Sequence, residues 1–262
     1  MKTTTIDNLK AIKADGNKFA AITAYDFSFA SLIEAAEIEV TLVGDSLGNV
    51  IQGQDTTLPV TVDEMAYHTA AVKRGIARSL LVTDMPFMSY GTEVQALDSA
   101  AILMQAGAQM VKLEGGEWLA NTVYSLAERG IPVCGHVGLT PQSVHKLGGY
   151  KVQGREDAAA QKMLAEAKVL EEAGADLLVV ECVPSSLGKA LAQLLDIPVI
   201  GIGAGPDTDA QVLVLHDMLG ISRKPPKFSK NYLAQASSIQ EAISTYGNEV
   251  RGGVFPGPEH CF

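Results

Sequence analysis

The sequence predicts an α/β fold, a (β/α)8 TIM barrel with an extra N-terminal helix. The chain has 262 residues, close to the roughly 250 that such a barrel needs. Short runs of aliphatic residues recur along it, as in parallel strands that are buried on both faces. Helical segments that close on glycine precede several of these runs, which is the pattern of repeated βα units.

Seven apolar runs are predicted to be strands, and an eighth run is a further candidate. They span residues 19–24, 40–43, 80–83, 110–113, 133–135, 177–180 and 199–202, with the eighth at 212–215. A doubly wound open sheet is the alternative, because strand order cannot be read from one sequence. No change of composition suggests a linker, so residues 1–262 are expected to form one domain.

Capping signals place the helices between these strands. Thr61 and Glu64 form a capping box, in which each side chain can satisfy a free backbone amide of the other residue. The helix that follows is predicted to end near Arg74. Two more helices are predicted over about 92–106 and 157–173.

Two long connections and two short segments fall outside this pattern. Residues 46–60 and 137–154 are glycine-rich, and because each follows a polar strand end they are expected to be functional loops. The stretch 201–205 is a weak signal for phosphate binding, since its small residues could equally make room for a substrate or a lid. The tail 252–262 is expected to be irregular.

Composition excludes several classes of protein. The chain carries 20 basic and 30 acidic residues, a formal charge of −10, which disfavours nucleic acid and anionic membranes as partners. No apolar stretch approaches the ~18 residues of a membrane span, and the N-terminus lacks the apolar core of a signal peptide. Three widely spaced cysteines are typical of reduced thiols. We therefore expect a cytoplasmic protein.

Ionisable groups stand at the ends of five predicted strands. They are Asp45, Asp84, Glu114, His136 and Glu181. In a barrel, the C-terminal ends of the strands meet around one pocket, where active sites of this fold lie. The sequence therefore predicts that these five groups converge.

Three carboxylates in one pocket repel each other unless a cation lies among them or some are protonated. Oxygen ligands favour a hard divalent ion, Mg²⁺ before Zn²⁺, and we expect Asp45, Asp84 and Glu114 to bind it. The alternative is that each acid only caps a helix or pairs with a base.

The remaining polar groups suggest how a substrate is held. Lys112 shares a strand face with Glu114, so its ammonium is expected to balance the acids and attract an anion, or else to pair structurally with a carboxylate. Glu181 ends an apolar strand, which raises a carboxyl pKa and suits a general base or acid. It could instead pair with a Lys or Arg. His136 either donates a hydrogen bond to a substrate anion or is a polar residue whose hydrogen bonds are satisfied near the strand end. Both His136 and Glu181 are expected across the barrel from the acids.

Nine segments, in order along the chain, resemble the ketopantoate hydroxymethyltransferase family. They are TAYD (23–26), LVGDSLG (42–48), TLPVT (57–61), YHTAAV (67–72), VKLEGG (111–116), VCGH (133–136), GLTPQS (138–143), GGYKVQGR (148–155) and GIGAG (201–205). The resemblance covers essentially the whole chain. The N-terminal helix and the region after Gly220 match more loosely.

The resemblance implies a barrel of the phosphoenolpyruvate/pyruvate superfamily and a cytoplasmic enzyme of pantothenate, hence coenzyme A, biosynthesis. Such enzymes commonly form homodecamers. They transfer a hydroxymethyl group from 5,10-methylenetetrahydrofolate to 3-methyl-2-oxobutanoate, giving 2-dehydropantoate by Mg²⁺-assisted enolisation. The implied metal ligands are Asp45, Asp84 and Glu114. The implied substrate contacts are Asp45, Ser46, Asp84, Lys112 and His136, and the implied proton acceptor is Glu181.

Two other functions are compatible with parts of this pattern. A Mg²⁺-dependent lyase or mutase of the same superfamily would share the carboxylates, but the sequence has no Lys-Lys-Cys-Gly-like catalytic stretch. A non-catalytic protein that binds small anions would use the barrel and Lys112. It would leave Glu181 and the two long loops without a purpose.

Overall fold

The computed structural model describes residues 3–262, in which eight parallel strands form a closed barrel in sequential order. The strands are β1 (Phe19–Thr23), β2 (Val40–Val43), β3 (Leu80–Asp84), β4 (Met110–Glu114), β5 (Val133–Gly138), β6 (Leu177–Glu181), β7 (Val199–Ile202) and β8 (Ala210–Leu213). Strand β8 pairs with β1, which closes the barrel. The barrel prediction is confirmed, and the open sheet is excluded.

Helices surround the barrel and cover its outer face. The α-helices are α1 (Ile6–Ala14), α2 (Phe27–Ala35), α3 (Leu47–Val50), α4 (Val62–Lys73), α5 (Glu93–Gln105), α6 (Ala120–Ala127), α7 (Val144–Leu147), α8 (Asp157–Glu172), α9 (Ser185–Leu194), α10 (Leu215–Met218) and α11 (Ile239–Arg251). The three helices predicted from capping and glycine signals are α4, α5 and α8. None of the helices in the described part of the chain is long and apolar enough to cross a membrane.

The capping box predicted for α4 is present. The Glu64 amide donates to Thr61 Oγ1 at 3.3 Å, and the Thr61 amide donates to Glu64 Oε2 at 2.8 Å. Each carboxylate or hydroxyl oxygen satisfies a backbone donor that a helix start leaves free, so the pair fixes where α4 begins.

The extra N-terminal helix is also confirmed, and it packs against the N-terminal ends of the strands. Leu9 on α1 is fully buried. Lys13 Nζ, at the end of α1, donates to the carbonyls of Ala192 and Ile197 and lies 2.9 Å from Asp209 Oδ2, just before β8. The helix therefore lies at the opposite end of the barrel from the predicted site.

The eighth strand begins and ends two residues earlier than the sequence predicted, at Ala210–Leu213 instead of 212–215. The reason is Gln211, a polar residue that broke the apolar pattern. It is buried in β8, where its Nε2 donates to the carbonyl of Gly205 at 3.0 Å and to Thr208 Oγ1 at 2.8 Å. A buried amide with both donors satisfied is compatible with a strand core.

The glycine-rich stretch 201–205 serves close packing. A Cβ atom at Gly203 would approach the rings of Phe228 and Phe262, and one at Gly205 would lie 2.5 Å from the side chain of Ser185. Both glycines have a positive φ, +60° and +84°. The following connection to β8, residues 203–209, contains no helix, which departs from a regular βα repeat.

The long loops and the tail contain more regular structure than the sequence suggested. The connection after β2 includes α3, and the connection after β5 includes a 3₁₀-helix at Pro141–Ser143 followed by α7. The tail includes a 3₁₀-helix at Pro258–His260. These elements are one or two turns long, too short to leave a recognisable periodic pattern.

Candidate active site

The strand register brings the polar strand ends together. Asp84 on β3 is aligned with Lys112 on β4, Glu114 on β4 with His136 on β5, and Gly138 on β5 with Glu181 on β6. Asp84, Glu114 and Glu181 are the last residues of their strands, and His136 lies inside β5. Asp45 follows β2 by two residues. The predicted convergence of these groups is therefore present at the C-terminal end of the barrel.

The three acids form a compact buried cluster. Asp45, Asp84 and Glu114 each place one carboxylate oxygen within 4.8 Å of the others. The Asp45 amide donates to Asp84 Oδ2 at 3.0 Å. The other oxygen, Asp84 Oδ1, is buried and faces the Lys112 ammonium. Because the donors are three buried carboxylates that lie close together, the cluster fits a hard divalent cation.

Lys112 lies among these acids, as its strand face predicted. Its Nζ is 3.0 Å from Asp84 Oδ1 and 3.6 Å from Glu114 Oε1. Burial opposes the charge of the ammonium, but the nearby carboxylates outweigh burial and raise the pKa of Lys112. It is a permanent cation of the site.

His136 adjoins the acid cluster, so the expectation that it lies across the barrel from the acids was wrong, whereas Glu181 contacts His136 and ends β6, the strand opposite β2 in the barrel. His136 Nδ1 is 3.4 Å from Glu114 Oε1, and its Nε2 is 3.4 Å from Glu181 Oε2. The physical reason is that β4, β5 and β6 are consecutive neighbours in the barrel. The imidazole therefore bridges the acid cluster and Glu181.

The electrostatics of the acids differ from one carboxyl to the next. Burial, together with Glu114 and Asp84, raises the pKa of Asp45 well above its ordinary value. Burial likewise raises the pKa of Asp84, which Lys112 only partly offsets. For Glu114, burial is outweighed by Lys112 and His136, which lower its pKa. Burial and repulsion within the cluster therefore raise the pKa of the two aspartates, but not the pKa of Glu114.

Beside the three acids, the imidazole of His136 lies between two carboxylates, those of Glu114 and Glu181. Burial and Lys112 lower the pKa of His136, but Glu114 and Glu181 outweigh them and raise it to about 9. Lys112 Nζ also lies 3.2 Å from His136 Nδ1, so the lysine contacts both the acids and the imidazole. Burial raises the pKa of Glu181, and His136 opposes that rise.

The charges of the site do not balance. When all are ionised, the four carboxylates face only two cations, Lys112 and His136, which leaves two negative charges uncompensated. Buried charge of this kind is costly unless it is paired or coordinates a metal. A proton on Asp45, whose pKa is raised, or a bound divalent cation would reduce it.

Three further residues complete the site, and the sequence did not single them out for a role. Gln142 Nε2 donates to Asp45 Oδ2 at 2.8 Å, and the Tyr90 hydroxyl donates to Gln142 Oε1. The hydroxyls of Tyr25 and Ser46 lie 2.8 Å apart. Gln142 and Tyr25 fall in segments that carry the family resemblance, which was their only signal. Tyr90 had none.

Comparisons with known proteins add to this geometry. A model of the ketopantoate hydroxymethyltransferase family matches residues 3–258. The 3-methyl-2-oxobutanoate hydroxymethyltransferase of Shewanella sediminis is 60% identical over 263 residues, covering 100% of both chains. Two solved structures resemble the fold at low sequence identity. Phosphonopyruvate hydrolase has a TM-score of 0.64 at 16% identity, covering 95% of this chain and 96% of the other. The structure of 2,3-dimethylmalate lyase, of the PEP mutase/isocitrate lyase superfamily, has a TM-score of 0.60 at 15% identity. It covers 81% of this chain and 79% of the other.

Proposed function

Because this chain belongs to the ketopantoate hydroxymethyltransferase family and is therefore a transferase, we propose that it transfers a hydroxymethyl group from 5,10-methylenetetrahydrofolate to 3-methyl-2-oxobutanoate. The product is 2-dehydropantoate, an intermediate of pantothenate synthesis. The observation that carries the proposal is the buried cluster of three acids, connected through His136 to a fourth carboxyl at Glu181. This arrangement provides a cation site beside a base.

Mg²⁺ is the proposed metal, with Asp45, Asp84 and Glu114 as its ligands. Their oxygen donors and the two uncompensated charges support a hard divalent ion. When bound, the cation would withdraw electrons from the substrate carbonyl and stabilise the negative charge of the enolate.

Glu181 is the proposed proton acceptor. Its carboxylate takes the proton from C3 of the keto acid, and the electrons of that bond form the C2–C3 double bond of the enolate. The buried position that raises the pKa of Glu181 makes this carboxylate a stronger base than an exposed one. His136, 3.4 Å away, holds the base in place and offsets its charge.

Carbon–carbon bond formation follows from the enolate. Its C3 attacks the methylene carbon of the folate as one of the two nitrogen–methylene bonds breaks, and the released nitrogen takes up the proton removed from C3. Water then cleaves the second nitrogen–methylene bond: its hydroxyl stays on the carbon, its proton goes to the nitrogen, and tetrahydrofolate leaves.

Ser46 and Lys112 are the proposed contacts of the keto acid, together with His136 and the metal-binding Asp45 and Asp84. The ammonium of Lys112 provides the charge to attract a carboxylate. The Tyr25 hydroxyl restrains the Ser46 hydroxyl at 2.8 Å, so the orientation of that group is set before a substrate arrives.

A homo-oligomer, a decamer by family resemblance, is the proposed assembly. Large aromatic side chains on the outer helices support it, since Tyr67 is 72%, Trp118 62% and Tyr124 57% exposed. A cytoplasmic location is also proposed, and the three free cysteines support it.

The test is product formation by metal-stripped protein. With 3-methyl-2-oxobutanoate and 5,10-methylenetetrahydrofolate, 2-dehydropantoate should appear only after Mg²⁺ is added. Absence of product with any divalent metal would contradict the proposal, as would full activity in excess chelator. Cleavage of a 2-hydroxy acid without folate would instead favour a lyase or mutase.

A further inference from the structure

Gln142 is buried beside the acid cluster and uses its amide and backbone groups there. It lies on the 3₁₀-helix Pro141–Ser143, in the long connection after β5, and is 6% exposed. Its Nε2 donates to Asp45 Oδ2 at 2.8 Å and to the carbonyl of Met85 at 3.0 Å. Its backbone amide donates to Glu114 Oε2 at 3.0 Å. One residue therefore binds one oxygen from each of two acids, one after β2 and one at the end of β4.

The acceptors Asp45 and Met85 fix which way the amide of Gln142 faces, and Tyr90 contacts the amide oxygen from the other side. The Tyr90 hydroxyl donates to Gln142 Oε1 and accepts the Glu114 amide at 3.3 Å. If the amide were flipped, its NH₂ would face the Tyr90 hydroxyl, and its oxygen would face the Asp45 carboxylate. Trp118 stacks on the Tyr90 ring, with centroids 6.1 Å apart and planes 15° apart, which supports the ring.

A neutral donor is suited to this position. The acids of the cluster repel each other, so a carboxylate without a restraint would turn away from its neighbours. A second lysine would hold it but would also neutralise charge that a metal needs. An amide holds one oxygen of the carboxylate, adds no charge and leaves the other oxygen available.

We propose that Gln142 is a positioning residue, held by Tyr90, that orients the carboxylates of Asp45 and Glu114 for a divalent cation. The inference rests on the proposed function, because it assigns these acids to a metal. It connects the loop after β5 to the metal site.

The test measures Mg²⁺ binding to the metal-free protein by titration calorimetry. Gln142→Ala keeps the backbone amide that serves Glu114 but removes the donor to Asp45, and should weaken Mg²⁺ affinity about 10- to 100-fold. With saturating Mg²⁺, kcat should return close to the wild-type value, whereas a merely structural defect would lower kcat at every Mg²⁺ concentration. Tyr90→Phe should weaken affinity by a smaller factor in the same direction.

Gln153→Ala is the matched control, since the side-chain amide of Gln153, on the same loop, bonds among the described residues only to the Lys151 carbonyl, at 2.9 Å. This variant should bind Mg²⁺ like the wild type. If wild-type protein binds Mg²⁺ and both Gln142→Ala and Tyr90→Phe bind it equally well, the inference is wrong while the proposed function stands. If wild-type protein binds no divalent metal, both fail. Should Gln142→Ala not fold, Tyr90→Phe decides alone.

Discussion

The two ends of the barrel both hold buried or half-buried carboxylates, but they satisfy them differently. At the N-terminal end, Glu34 accepts hydrogen bonds from the Arg78 guanidinium and from three consecutive backbone amides, those of residues 77–79. At the C-terminal end, Asp45, Asp84 and Glu114 place their carboxylate oxygens within 4.8 Å of one another, and one buried lysine, Lys112, lies among them.

The pKa shifts follow the same division. Burial alone would raise the pKa of Glu34, but Arg78 and the backbone amides lower it, so the ionised form stabilises the fold. Burial and neighbouring acids raise the pKa of Asp45, so its ionised form destabilises the metal-free fold. An ionised carboxylate stabilises the metal-free protein at one end of the barrel and destabilises it at the other.

The largest effect on stability is expected from Lys112→Met. It removes a buried cation from three acids, so metal-free protein should lose about 3–5 kcal/mol in urea unfolding. Added Mg²⁺ should restore more stability in the variant than in the wild type, because the cation then has no competitor. Lys10→Met, at an ion pair whose lysine is 42% exposed, is the control and should change little. Equal losses of unfolding free energy in Lys112→Met and Lys10→Met would contradict the view that only the C-terminal end holds carboxylates that depend on a buried cation.

Asp45→Asn should stabilise the metal-free protein. The asparagine oxygen can still accept from Gln142, while repulsion from Asp84 and Glu114 disappears, a gain of roughly 1–3 kcal/mol. Mg²⁺ affinity should fall at the same time. Thermal unfolding in chelator measures the first effect and calorimetric titration the second. A variant that is less stable than the wild type without metal would contradict the repulsion.

Glu34→Gln makes the same change from acid to amide at the N-terminal end of the barrel. Its effect on the free energy of unfolding should have the opposite sign to that of Asp45→Asn. The amide cannot accept all four hydrogen bonds, so the free energy of unfolding should fall by about 1–2 kcal/mol. Turnover should not change, since Glu34 lies far from the polar strand ends. Reduced turnover at full folding would show that the two ends are coupled.

The smallest expected effect is the pH dependence of the difference in free energy of unfolding between wild type and Glu34→Gln. The folded-state pKa of Glu34 is lowered, so its contribution is complete above the unfolded pKa of about 4.3. It should be lost as the pH falls through the folded value. Urea unfolding of wild type and Glu34→Gln between pH 7 and 3 should show the two curves converging at the acid end. Parallel curves would mean that Glu34 is not ionised in the way its contacts require.

The fold and most of the polar strand ends could be predicted because they are local patterns. An apolar run followed by an acid identifies both a buried strand and the chemistry at its end, as at Asp84 and Glu114. Strand β8 was misplaced because Gln211 is satisfied by residues outside its own strand.

Relations between elements were harder to predict. His136 was placed across the barrel from the acids, although sequential strand order already makes β4 and β5 neighbours. Gln142 and Tyr90 could not be found from periodicity, because their roles depend on how two loops fold over the strand ends.

The most direct test is the exchange of the C3 proton of 3-methyl-2-oxobutanoate in D₂O, followed by NMR with Mg²⁺ and without folate. Wild type and Glu34→Gln should exchange at the same rate. Glu181→Gln should fold and bind the keto acid but exchange about 10²- to 10⁴-fold more slowly, as expected for the loss of a general base. Exchange by Glu181→Gln at the wild-type rate would contradict the assignment of the base, and with it the account of the C-terminal end as the catalytic one.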